Sequence, residues 1–126
     1  GTVIHACKVI SARMEQTDEF RAMMSLADRP TALFAWSDDV AFKLMQCLRE
    51  LGLETPGDVS LIGFDSIEAC NHISPPLTSV KQPIFEMARD ATQLLIAKIN
   101  GEPTTRDQLI YPLTLDIRGS TAPPKS

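Results

Sequence analysis

The stretch Ala32-Leu33-Phe34-Ala35-Trp36-Ser37-Asp38-Asp39-Val40-Ala41 decides the fold, because an unbroken apolar run gives way within one residue to a polar triplet. A continuous apolar run of this kind, over 32–36, suits a strand covered on both faces, as in a parallel sheet. Ser37 or Asp38 then caps the free N–H groups of a helix. Its apolar stripe is Val40, Ala41, Leu44, Met45, Leu48 and Leu51, and Gly52 supplies the stop. After a turn at 54–58 a second β-rich run covers 59–64 and ends at Asp65. Strand, helix and strand in this order make a βα repeat on a parallel sheet.

The pattern extends in both directions. Upstream, 3–9 reads as a strand and 17–26 as a helix, with Phe20, Met23, Met24 and Ala27 at helical spacing and Asp18 and Glu19 in the first turn. Arg29-Pro30 ends it. Downstream, Pro75-Pro76 forces extended backbone before a short strand over 78–81, and Pro83 opens the longest helix at its favoured first position. Ile84, Met87, Ala88, Ala91, Leu94, Leu95 and Ile99 share one side of that helix, which ends at Gly101. Residues 109–118 include Pro112 and read as a broken or edge strand, and 119–126 reads as a frayed tail. The expected fold is α/β, a three-layer lobe with a mainly parallel sheet and flanking helices.

A length of 126 residues fits one domain or one lobe of a larger protein, and 44% apolar with 22% charged residues argues against a disordered tail or a coiled coil. No apolar run reaches the roughly 18 residues of a membrane span. The formal charge is −4, with basic residues scattered along the chain, which disfavours direct grip on phosphate backbones. Cys7, Cys47 and Cys70 are odd in number and widely spaced. They support neither a disulfide framework nor a zinc site, and a reducing interior is the simpler setting. The start at Gly1-Thr2-Val3 has no secretory signal and suggests a chain that begins partway through a longer protein.

In parallel sheets ligands bind beyond the carboxyl ends of the strands. Asp38 follows one strand and Asp65 the next, so one lip of the sheet is expected to carry both, with Trp36 and Ser37 beside the first. Each acid also has a bland reading as a helix cap or turn residue. Carboxylates accept from hydroxyl and amine donors and repel phosphate, and no Gly-rich phosphate loop is present. A neutral polyol or a cation is the favoured ligand class. Trp36 either offers a flat face to a sugar ring or fills the core. No nucleophile motif, metal-ligand spacing or base partner for Ser37 or Cys70 is evident. We therefore expect no catalytic residue, no metal and no cofactor, with His5 and His72 as ordinary side chains and Cys70 and the methionines as packing groups.

Beyond generic α/β patterning, an ordered series of motifs spans Arg29 to Thr121. It comprises Arg29-Pro30-Thr31-Ala32, Ser37-Asp38-Asp39-Val40-Ala41, Leu51-Gly52-Leu53-Glu54-Thr55-Pro56-Gly57-Asp58-Val59-Ser60-Leu61-Ile62-Gly63-Phe64-Asp65, Pro75-Pro76-Leu77-Thr78-Ser79-Val80-Lys81-Gln82-Pro83, and Leu115-Asp116-Ile117-Arg118-Gly119-Ser120-Thr121. The series resembles the effector-binding domain of the lactose/galactose repressor family. The resemblance implies that 1–126 is the C-terminal lobe of a periplasmic-binding-protein-like sugar-binding domain. A helix-turn-helix and the N-terminal lobe would stand upstream, so DNA would be bound only through that missing part.

By position, the resemblance makes Asp65 the acceptor for ligand hydroxyls and Asp38 the acid at the start of the preceding helix. Ser37 stands where an Asn often touches ligand, Trp36 narrows the pocket, and Met14 approaches the place of a stacking aromatic. It also implies a homodimer surface around Phe42, His72 and Ile73 and a cytoplasmic, non-enzymatic regulator that senses a sugar-like effector. A periplasmic sugar-binding protein of a transport system is the alternative.

Overall fold

A computed structural model describes residues 18–104 and 108–124. The strand expected over 3–9, and with it His5, Cys7 and Met14, falls outside the described residues.

Four strands form one sheet in the order β1-β2-β3-β4: β1 is Ala32–Phe34, β2 Ser60–Asp65, β3 Thr78–Lys81 and β4 Thr114–Asp116. The first three are parallel, with Phe34 opposite Ile62 and Asp65 opposite Lys81, and β4 pairs antiparallel to β3. The fold is therefore of the expected α/β type, a mixed, mainly parallel sheet with flanking helices. The final segment supplies only a three-residue edge strand. This is consistent with Pro112, which has no N–H to give a ladder.

Helix α1, Asp18–Met24, precedes β1, and α2, Asp38–Glu50, links β1 to β2. Ser37 caps α2 in extended conformation, its Oγ accepting from the Val40 N–H at 3.3 Å. At the other end Gly52 takes φ +72°, and the Leu53 N–H reaches back to the Leu48 carbonyl at 2.9 Å. This is the left-handed closure for which a residue without Cβ is favoured. The α2 stripe does what its spacing implies. Val40, Ala41, Leu44, Met45, Cys47 and Leu48 are buried with Phe20 and Met24 of α1 and with Val59, Leu61, Cys70 and Leu77. Each such large side chain contributes about 1.5–3 kcal/mol relative to exposure.

Helix α3, Ile84–Ile99, differs from the core helix its periodicity suggests. None of its residues is buried, and Ile84, Phe85, Leu95, Ile96 and Ile99 are exposed. Tyr111 fastens the segment before β4 to it by donating to Asp90 at 2.7 Å. Pro83 stands one place earlier than expected, as the residue before the first helical turn.

The end of the chain also departs from a frayed tail. Ser120 is fully buried, donating to the Leu61 carbonyl at 2.6 Å and accepting from the Thr78 N–H at 2.8 Å. The Leu61 N–H bonds the Ser120 carbonyl at 2.8 Å. Residues 118–122 thus lie beside β2 where β3 has not yet begun. Short polar side chains there satisfy backbone groups that a sheet would otherwise leave bare.

Candidate functional site

The carboxyl ends of the three parallel strands form one lip. The Ala35 N–H continues the β1–β2 ladder to the Ile62 carbonyl at 2.8 Å. Trp36 and Ser37 follow, between the end of β1 and the start of α2. Asp65 pairs across β3 with Lys81, and the next residue, Gln82, donates from Nε2 to Asp65 Oδ1 at 2.7 Å. Trp36 is 60% exposed, so it is a surface ring beside the lip and not a core residue. Ser37 and Asp65 are half-buried. The Ser37 oxygen accepts from the backbone and keeps its own O–H to donate.

Asp38 meets a different environment from the one expected. Its residue is 1% exposed and both oxygens are taken: Oδ1 accepts from Ser79 Oγ at 2.5 Å and Oδ2 from the Ile67 N–H at 2.8 Å. Helix α2 places this carboxylate against β2, because the residue after its cap turns inward. The sheet offers no side chain to obstruct it at Gly63. Two acids do leave neighbouring strand ends, but only Asp65 presents its carboxylate to the lip.

The turn that carries Asp65 is built with unusual backbone: Asp65 has φ +105° and Ser66 φ +54°. Non-glycine residues in this region cost about 1–3 kcal/mol each and persist where surroundings fix them. The fixing groups are visible. The Ser66 N–H donates to Ser79 Oγ at 3.1 Å, the Ser66 hydroxyl donates to Asp116 Oδ2 at 2.7 Å and accepts from Arg118 Nη2 at 3.0 Å. Asp38 holds the following amide. Gln82, Ser79, Asp116 and Arg118 stand in the sequence motifs and Ser66 directly follows one, but only strand-end logic extended to the third strand would have singled out Gln82. The rest depend on contacts between residues far apart in sequence.

The three residues expected at a dimer surface lie on other elements. Phe42 of α2 and Ile73 pack partly against the core. His72 follows the 3₁₀ turn Glu68–Asn71, with an exposed ring whose Nε2 is 3.2 Å from Glu68 Oε1. Arg49 ties α2 to this loop by donating to the Ser74 carbonyl at 3.0 Å. A cleft of about 270 Å³ lined by Met45, Arg49, Leu53, Glu54, Thr55 and Pro75 sits at the amino ends of the strands and shares no residue with the lip. Among the described residues no three His, Cys, Asp or Glu side chains group as a metal site. No helix among them is long and apolar enough to cross a membrane.

Residues 3–121 match the periplasmic binding protein-like domain. A probable opine utilization operon repressor of Rhizobium rhizogenes is 41% identical over 106 residues, covering 83% of this chain and 54% of the repressor. Among solved structures, a LacI family transcriptional regulator from Enterococcus faecium with bound ribose superposes with TM-score 0.74 at 36% identity, over 83% of this chain and 38% of that one. The transcriptional regulator CelR in complex with cellobiose gives TM-score 0.68 at 37% identity, over 71% of this chain and 28% of that one. The chain thus spans about half the length of the first relative and less of the solved regulators.

Proposed function

This chain belongs to the lactose/galactose repressor family, as a periplasmic binding protein-like domain, and on that premise we propose that it forms one wall of the effector site of a transcriptional repressor. The effector is a sugar or related polyol. The observation that carries the reading is Asp65, an acceptor at the carboxyl lip of three parallel strands whose Oδ1 accepts from Gln82, which leaves Oδ2 as the oxygen we assign to a ligand hydroxyl. Ser37 donates from the neighbouring strand end, and Trp36 sets an apolar ring beside them. Asp38 serves as a positioning group under the turn. Ribose and cellobiose in the two solved regulators support a hydroxyl-rich ligand. The relatives being repressors favours a cytoplasmic regulator over a transport-side binder.

In the full-length protein a second lobe closes on this lip, and DNA is bound by a separate domain. The ligand acts through its differential affinity for the two geometries. Phe42, His72 and Ile73 form part of a two-fold contact between copies. Calorimetry on the full-length protein with a panel of sugars tests the site. Asp65→Ala is expected to weaken the bound sugar at least tenfold, since a charged acceptor to a ligand hydroxyl is worth about 1.5–3 kcal/mol. Unchanged affinity would overturn the assignment.

A further inference from the structure

We infer that Arg118 is a positioning residue for Asp65, acting through the Ser66 hydroxyl, and that it couples the ligand lip to the 3₁₀ turn Glu68–Asn71; this rests on the reading of the lip as the effector site. The Arg118 side chain is only 15% exposed and every nitrogen is engaged. Nε donates to Asn71 Oδ1 at 2.8 Å, Nη1 to the Leu77 carbonyl at 2.7 Å, and Nη2 to Ser66 Oγ at 3.0 Å. The carboxylate of Asp116 stands farther from Nη2, at 3.4 Å. The three shorter contacts go to neutral acceptors, so the guanidinium is placed as a rigid fork and not chiefly as a counter-ion.

The fork itself cannot drift. Its backbone N–H donates to Thr78 Oγ1 at 2.9 Å and the Gly119 N–H to the Pro76 carbonyl at 2.9 Å. From this fixed base it grips Ser66, whose φ of +54° follows the +105° of Asp65. Freed of Arg118, Ser66 keeps one hydroxyl partner, Asp116, and the strained pair of dihedrals gains a route back to ordinary backbone. Such a relaxation would swing the Asp65 carboxylate off Gln82. The same guanidinium holds Asn71, the last residue of the 3₁₀ turn, immediately before His72 and Ile73. A change in the lip therefore has a direct mechanical path to that surface. Lysine cannot substitute, because a single ammonium cannot satisfy three acceptors arranged for a planar fork.

Hydrogen exchange on the ligand-free full-length protein tests this. Arg118→Lys and, separately, Ser66→Ala are expected to accelerate exchange at the Ser66 and Ile67 amides at least tenfold, while the Leu48 amide in α2 changes less than twofold. Unchanged exchange at Ser66 and Ile67 in both variants would overturn the inference. So would equal acceleration at Leu48, which marks a merely structural role.

D-Ribose titrations of wild type, Arg118→Lys, Asp65→Ala and the double variant form the second arm. Arg118→Lys is expected to weaken ribose about tenfold, with no further loss when added to Asp65→Ala. A full additional loss in the double variant contradicts action through Asp65. Asp65→Ala without effect on ribose removes the lip reading, whereas the exchange result still judges Arg118.

Discussion

At Gly63 any side chain would collide with the Asp38 carboxylate and come within 2.9 Å of Leu77 Cδ2. The glycine is there so that a buried acid can pass the sheet and reach the Ile67 amide and Ser79. The cost of burying that carboxylate is offset by charge-assisted hydrogen bonds. Its neighbour Cys70 records the same surroundings. Burial, then the hydrogen bond and charge of Asp38, push the thiol from its ordinary 9.0 up to about 12. A thiol raised in this way stabilises the fold below its unfolded pKa, and that contribution is lost as pH climbs through the folded value. Iodoacetamide at pH 9 should therefore leave Cys70 unmodified in the native protein and label it once urea unfolds the chain. Native labelling at the unfolded rate, read by peptide mass, would contradict the buried thiol–carboxylate contact.

Among the elements, β3 and the ends of α2 were legible from sequence, since each is set by local chemistry: Ser37 as cap, Gly52 as stop, and an extended segment after Pro75-Pro76. Strand β1 stops two residues short of its apolar run, and the run's last residue, Trp36, turns to the surface. Hydropathy counts the ring and cannot see that the chain has left the sheet. The turn at 65–67 was illegible for a stronger reason. Its conformation is imposed by Ser79, Asp116 and Arg118, which lie 13, 50 and 52 residues from Ser66.

Helix α3 shows the same limit, because periodicity reports an apolar face without reporting what packs on it. Among the described residues one tie of α3 is Tyr111 to Asp90. The hydrogen bond to Asp90 raises the tyrosine pKa above 10.0, and Arg89 and then Tyr111 lower that of Asp90. The raised phenol stabilises the contact below about pH 10 and loses that as pH rises through its folded pKa. The lowered carboxylate stabilises it above about pH 4 and loses that as pH falls. Tyr111 is the single tyrosine of this chain. Its absorbance titration should have a midpoint above 10.0, falling toward that value in Asp90→Asn. An unchanged midpoint would show that Asp90 does not hold it.

Across the whole molecule, α2 packs one face of the sheet, and the carboxyl ends of its parallel strands form the lip to which the proposal assigns half of an effector cleft. Two acids at one lip were anticipated from strand-end position alone. That placed Asp65 at the end of β2, but could not show that α2 buries Asp38, because a helix cap and a ligand acid are written with the same residue. The formal charge of −4, with basic residues scattered along the sequence, disfavours direct grip on phosphate backbones by this chain. The most direct measurement is a crystal structure of the full-length protein with its sugar bound. A sugar hydroxyl is expected about 2.5–3.0 Å from an Asp65 carboxylate oxygen, with Asp38 still bonded to Ser79 and Ile67. A sugar seated elsewhere, or an Asp65 turned away from it, would contradict the account.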